Sequence, residues 1–244
     1  MNEVFTPPHI DRPRSIDGTR RDRRAPGSIL GVSTFEGAAV FTSGMPGTTL
    51  TRIADDGASG LAVVADPQVI EVLAEAPPSS TSTEDIACAL AVSHTRAVSK
   101  QSRPLATVAM AIQSTLPQIL VFHHQMAFSP IPRQVNFWGQ WPNASWILER
   151  WYRYDNPLIE ALRLGMLTIC GTHDLSSETS VLVTIDNKVT LLGDDQVQAL
   201  RVAANQEIEH LSDGSDHLHA VASSLFVDHR AASHSEAVIA ASRP

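Results

Sequence analysis

Between Ser28 and about Leu73 the chain is cut into short apolar runs by glycine-bearing turns, and this punctuation narrows the fold more than any other feature. Ile29–Val32, Ala38–Phe41, Thr48–Ile53 and Leu61–Val64 are too short for stable helices and the right length for strands. The segments Gly44–Gly47 and Asp55–Gly60 supply the reversals between them. A β-rich N-terminal portion follows.

Downstream the signals change period. Pro77–Ser82 is a linker, and Thr81-x-x-Glu84 forms a capping box that opens a helix to about Lys100, with Ile86, Leu90 and Ala97 on one side. The apolar stretch Pro104–Gln125 is expected to be a helix, or a helix–strand pair divided near Pro117, and Ser129–Pro142 a proline-bearing loop. Asn143 should cap a helix through Tyr154, and Asn156–Pro157 should begin another, since proline suits a helix start. Thr179–Ile185 and Val189–Leu192, joined by Asp186–Asn187–Lys188, make a β-hairpin. After Gly193–Asp194, the residues Val197, Leu200, Ala204, Ile208 and Leu211 form one stripe at the helical period. A last helix is expected from Asp216 to about His229.

The fold class expected is therefore α+β: a β-rich N-terminal portion, a helical centre and a C-terminal hairpin plus helices. An extended arm spans residues 1–26, one globular domain 27–233 and a flexible tail 234–244. With 43% apolar and 18% charged residues over 244 positions, the chain can bury a core without metal or disulfide staples. Cys88 and Cys170 lie far apart in apolar contexts with no Cys-x-x-Cys, which favours buried free thiols. The N-terminus lacks an apolar signal region and carries Glu3, Asp11, Asp17 and Asp22. The uncharged run Leu105–Phe122 is interrupted by Gln113, Pro117 and Gln118, which suits core better than a membrane span. A soluble, intracellular protein that does not enter membranes is the expectation.

Charge is unevenly placed. The formal net value is −8, yet between Arg12 and Arg24 the six arginines Arg12, Arg14, Arg20, Arg21, Arg23 and Arg24 face only Asp17 and Asp22. No acidic residue occurs between Asp85 and Glu149, an interval that holds Arg96, Lys100, Arg103 and Arg133. This interval is either a buried centre or a field that orients an anionic ligand.

All four tryptophans, Trp138, Trp141, Trp146 and Trp151, fall within fourteen residues, interleaved with Arg133, Arg150 and Arg153. At helical spacing Ile147, Trp151 and Tyr154 share a face expected to be core, while Trp146, Arg150 and Arg153 share another. A ring beside two guanidinium groups suits stacking on bases and pairing with phosphates, or a subunit interface. Together with the arm, this pattern leads to a self-assembling, nucleic-acid-binding structural subunit of the coat or nucleoprotein kind. Arg12, Arg14, Arg20, Arg21, Arg23, Arg24, Arg150 and Arg153 would contact the phosphates of a nucleic acid, RNA more than DNA, without regard to sequence, and Trp138, Trp141 and Trp146 would meet a second copy.

Two alternatives stand beside it. One is an enzyme in which His123, His124 or His173 acts as acid–base, since imidazole titrates near neutrality. The other is a non-catalytic subunit of a larger complex. No cofactor and no metal are expected. Gly44–Thr49 lacks the lysine of a phosphate loop. His123 and His124 are adjacent and should diverge, and His210, His217 and His219 are separated by the helical period. His173–Asp174 beside Ser176 and Ser177 suits a turn better than a triad.

Overall fold

The computed structural model describes residues 25–78, 82–139, 147–148, 151–171 and 178–209. Among the described residues there are ten strands: β1 (Gly27–Thr34), β2 (Gly37–Gly44), β3 (Thr49–Ile53), β4 (Ser59–Ala65), β5 (Thr107–Gln113), β6 (Ile119–His123), β7 (Ile131–Arg133), β8 (Val135–Trp138), β9 (Glu178–Ile185) and β10 (Lys188–Leu191). Among the described residues the α-helices with defined bounds are α1 (Pro67–Glu75), α2 (Thr83–Val98), α3 (Leu158–Cys170) and α4 (Asp194–Glu209), and a 3-10 turn occupies His124–Met126. The class is α+β.

The strands form two five-stranded sheets, ordered β10-β9-β2-β1-β8 and β3-β4-β5-β6-β7, and every neighbouring pair is antiparallel. Side-chain alternation sorts the core into three layers. Ile29, Ala38, Val40, Val64, Val108, Met110, Ile119 and Val121 meet between the sheets. Leu30, Phe41, Val181 and Val183 leave the opposite face of the first sheet and pack under Leu162, Met166, Val197 and Leu200 of α3 and α4. Leu61, Val63, Ala109 and Phe122 leave the second sheet and pack under Val69, Leu73, Ile86 and Leu90 of α1 and α2. The result is a helix–sheet–sheet–helix sandwich. On α3 the layers approach closely: a Cβ at Gly165 would lie 2.2 Å from the Phe41 ring.

Covering both faces of each sheet explains the largest departure from the sequence expectation. Pro104–Gln125 is neither a helix nor a helix–strand pair; it contains the hairpin β5–β6. Its residues are apolar on both faces, Val108, Met110 and Ile112 inward and Ala109 and Ala111 outward, so period-2 alternation is erased. The acid-free interval thus spans most of α2 and the strands β5–β8, of which β5 and β6 are largely buried. Ser129–Pro142 likewise contributes β7 and β8, which carry the chain from the edge of one sheet to the edge of the other through Gln134. Pro132 lies on edge strand β7, where a missing N–H discourages further pairing.

Smaller differences have local causes. Residues 67–75 form a helix because Pro67 sits at its first turn and Val69, Ile70, Val72 and Leu73 make one buried face. The cap of α2 is Ser82, whose hydroxyl accepts from the Asp85 N–H at 3.1 Å. Trp151 is 40% exposed rather than core, and the neighbouring Tyr152 anchors that segment by donating its hydroxyl to the Ser33 carbonyl. Both cysteines are free, but Cys88 is exposed on α2.

The C-terminal unit follows expectation. Asp186 and Asn187 both have positive φ, 49° and 59°, as a two-residue hairpin turn between twisted strands requires. Val197, Leu200 and Ala204 on α4 are buried, with Ile208 packed partly against the same core. Among the described residues no helix is long and apolar enough to cross a membrane. Residues 1–24 of the arm, the segment around Trp141 and Trp146, Leu211 of the expected stripe and the helix expected at 216–229 lie outside the described residues.

Candidate functional site

Antiparallel register brings eight strand ends to one end of the sandwich: the starts of β1, β3, β5 and β9 and the ends of β2, β4, β6 and β8. Here the apolar core gives way to polar side chains. Two groups of them occur, one on each sheet.

The first group is built from hydroxyls and glycines. Gly27 opens β1 opposite Gly44, and a Cβ at Gly27 would lie 2.4 Å from the Ser43 carbonyl oxygen and 3.2 Å from Val64 of the other sheet. Only a residue without a side chain fits. Thr48 donates its hydroxyl to the Met45 carbonyl at 2.6 Å, and Thr179 donates to the Ser43 hydroxyl at 3.4 Å. Ala25, just upstream of β1, is 1% exposed and packs within the inter-sheet core, so the chain enters β1 from inside this end.

The second group centres on Thr107, the first residue of β5. Its hydroxyl lies 2.9 Å from Nδ1 of His94 on α2, while Nδ1 of His124 lies 3.2 Å from its N–H and 2.9 Å from its carbonyl oxygen. The imidazoles of His94 and His124 stack at 5.4 Å between centroids, and those of His123 and His124 at 4.6 Å. His123 ends β6 on the same face as Ile119 and Val121 and meets the edge of Trp138 at 6.4 Å. The stack thus runs from beneath α2, around the sheet end, to the space between the sheets. Phe128 closes it edge-on to His94 at 5.6 Å.

Asp66 completes the group. Only 5% exposed, it accepts from Arg103 at 2.7 Å and from the Ala106 N–H at 2.7 Å. Burial holds the His94 pKa below its ordinary value, His124 pushes it the same way, and Asp66 opposes both. The chemistry available here is proton exchange on imidazole. Stacked rings point their nitrogens along parallel planes rather than toward one centre, and among the described residues no group of three ligands could hold a metal ion.

Adjacent histidines in a strand would diverge, but β6 stops at His123 and the 3-10 turn rotates His124 back against it. Sequence reasoning named His123 and His124 and missed His94, Asp66, Arg103 and Thr107. The available hint was that His94, His123, His124 and Arg103 share the acid-free interval.

Of the other expected site residues, Trp138 lies in the inter-sheet core at 6% exposure. Arg153 is exposed, donating to the Tyr152 carbonyl at 2.7 Å. Arg12, Arg14, Arg20, Arg21, Arg23, Arg24, Arg150, Trp141, Trp146, His173, His210, His217 and His219 lie outside the described residues. A separate cavity of about 320 Å³, lined by Leu116, Pro117, Gln118, Pro132, Arg133, Gln134 and Tyr154, shares no residue with the histidine stack.

No family model matches the chain, and no curated protein does. Solved structures of similar fold do exist. A Gly-1 mutant of Anbu from Hyphomicrobium sp. strain MC1 is 12% identical with a TM-score of 0.55, covering 76% of this chain and 97% of that one. Anbu, described as an ancestral beta-subunit, from Yersinia bercovieri is 12% identical with a TM-score of 0.53, covering 77% and 97%. The Anbu complex of Pseudomonas aeruginosa, solved as a helical assembly, is 14% identical with a TM-score of 0.54, covering 76% and 95%. At such identity the likeness is one of fold. It overturns the coat or nucleoprotein expectation and with it the RNA-binding role: the body is an Anbu-like sandwich, and nothing in it supports nucleic-acid binding.

Proposed function

We propose that this chain is a self-assembling subunit of the proteasome-like β-subunit kind, acting as a structural protomer in a homo-oligomer. The observation that carries the reading is the match of the whole two-sheet, two-helix-layer sandwich to nearly the full length of Anbu chains, one of them solved as a helical assembly. Apolar side chains on the outer helices support it: Val92 and Val98 on α2 and Val202 on α4 are exposed. Such residues cost little singly and are the material of interfaces when neighbours cover them.

The test is native mass by light scattering on the purified chain. The expected outcome is a discrete species or filament of several times 26.3 kDa. A single monomeric peak at micromolar concentration would overturn it.

A further inference from the structure

The segment joining β6 to β7 combines two features rarely found together. Ala127 and Phe128 both adopt left-handed backbone, at φ 50° and 59°, with no glycine to relieve it. L residues keep that conformation only where their surroundings enforce it. The enforcing groups are visible. Phe128 is 3% exposed against His94, Phe128 N–H bonds the His123 carbonyl at 3.1 Å, and Ala127 N–H bonds the His124 carbonyl at 3.2 Å. His123 Nδ1 accepts from the Gln125 N–H at 3.1 Å and so caps the 3-10 turn.

This last bond needs an unprotonated Nδ1. A proton there would set N–H against N–H and remove the cap. Thr107 treats its two rings differently: His124 can accept from its N–H or donate to its carbonyl, so either state of that ring finds a partner. Two protonated rings within the stack, at 4.6 or 5.4 Å between centroids, repel each other directly. The groups facing His94 are His124 from the 3-10 turn and Asp66 from the β4–α1 junction, with His123 behind His124. Asp66 is the facing anion, and Arg103 and the Ala106 N–H already occupy it.

We propose that His123–Phe128 is a proton-released clasp: held shut over the end of the sandwich by the neutral imidazole stack, and let go when a second proton enters it. Release uncouples His123 from Trp138 and opens the end of the sandwich. The sign follows from the burial of His94, which favours its neutral form in the fold. The unfolded chain takes up protons at the ordinary imidazole value of about 6.5, so the clasp is fully stable above that pH and weakens as pH falls below it.

The experiment is amide hydrogen exchange on the full chain from about pH 7.5 to about pH 5.5, corrected for intrinsic rates, in the wild type and His123→Asn. Asparagine keeps an acceptor for the Gln125 N–H and does not titrate. In the wild type, protection at residues 123–128 should fall by about tenfold or more while β1 and β2 amides stay protected. In His123→Asn the change should shrink to about twofold or less. Ala127→Gly should raise protection of the segment at both pH values, because glycine tolerates the left-handed backbone. Equal loss across β1, β2 and the segment, or the same pH response in His123→Asn, would overturn the clasp. Should that variant not fold, imidazole titration of the wild type by NMR decides: coupled titration supports the clasp, and independent titration of His94, His123 and His124 near about 6.5 overturns it.

Discussion

Asp66 shows how much one side chain can carry when its partners are distant in sequence. Its carboxylate ties the β4–α1 junction to the backbone before β5 through Ala106, and Arg103 neutralises it from the solvent side. Arg103 is half exposed and can return to water, so the surface half of this pair contributes little. The buried bond matters more. Asp66→Ala would leave the Ala106 N–H unsatisfied and should cost about 2 kcal/mol, while Asp66→Asn, which retains one acceptor, should cost about half of that. Urea unfolding checks it through the midpoint at unchanged slope, and an alanine cost near zero would show that water replaces the carboxylate.

Helix pairs hold the outer layers by different means. On one side α1 and α2 pack through Leu73, Ile86 and Leu90 with no ion pair between them among the described residues. On the other, Arg163 of α3 reaches Glu207 of α4 and also pairs with Glu160 at 2.8 Å. Glu207 is 4% exposed, so its charge depends on Arg163. Arg163→Ala should therefore cost about 3–5 kcal/mol, most of it from stranding the carboxylate. The double replacement Arg163→Met with Glu207→Leu should recover most of that loss or exceed wild-type stability. Thermal melts of both variants measure the coupling; equal losses in the single and double variants would mean that packing, and not charge, sets the cost.

For the molecule as a whole, assembly is the property at issue. Val92 and Cys88 lie on the outer side of α2, away from the buried stripe of Ile86, Leu90, Ser93 and Ala97. If neighbouring copies cover that surface, Val92→Arg should shift the sizing profile to smaller species while the melting temperature of the protomer changes little. An unchanged profile would place the contact elsewhere, for instance around the exposed Val202 of α4 or Leu191 of β10. Because the helices form the two outermost layers, charge introduced there disturbs contacts between copies before it disturbs either sheet.

The α+β class, the strands from Ile29 to Val64, the β9–β10 hairpin and the stripe of α4 were all legible in the chain. Each rests on chemistry within a few residues: alternation, the Asp186–Asn187 turn with its positive φ, or Val197, Leu200 and Ala204 one helical turn apart. The hairpin β5–β6 was not legible, because helices cover one face and a second sheet the other, and a strand apolar on both faces has no period of its own. Nor was the site. His94 stands 13 residues from Thr107 and Asp66 stands 37 from Arg103, and only the pairing of Val108 with His123 and the seating of α2 on its sheet bring them together. Local bonding writes elements into neighbouring residues, whereas a site assembled from strand ends depends on register and layer packing, which no short stretch of sequence contains.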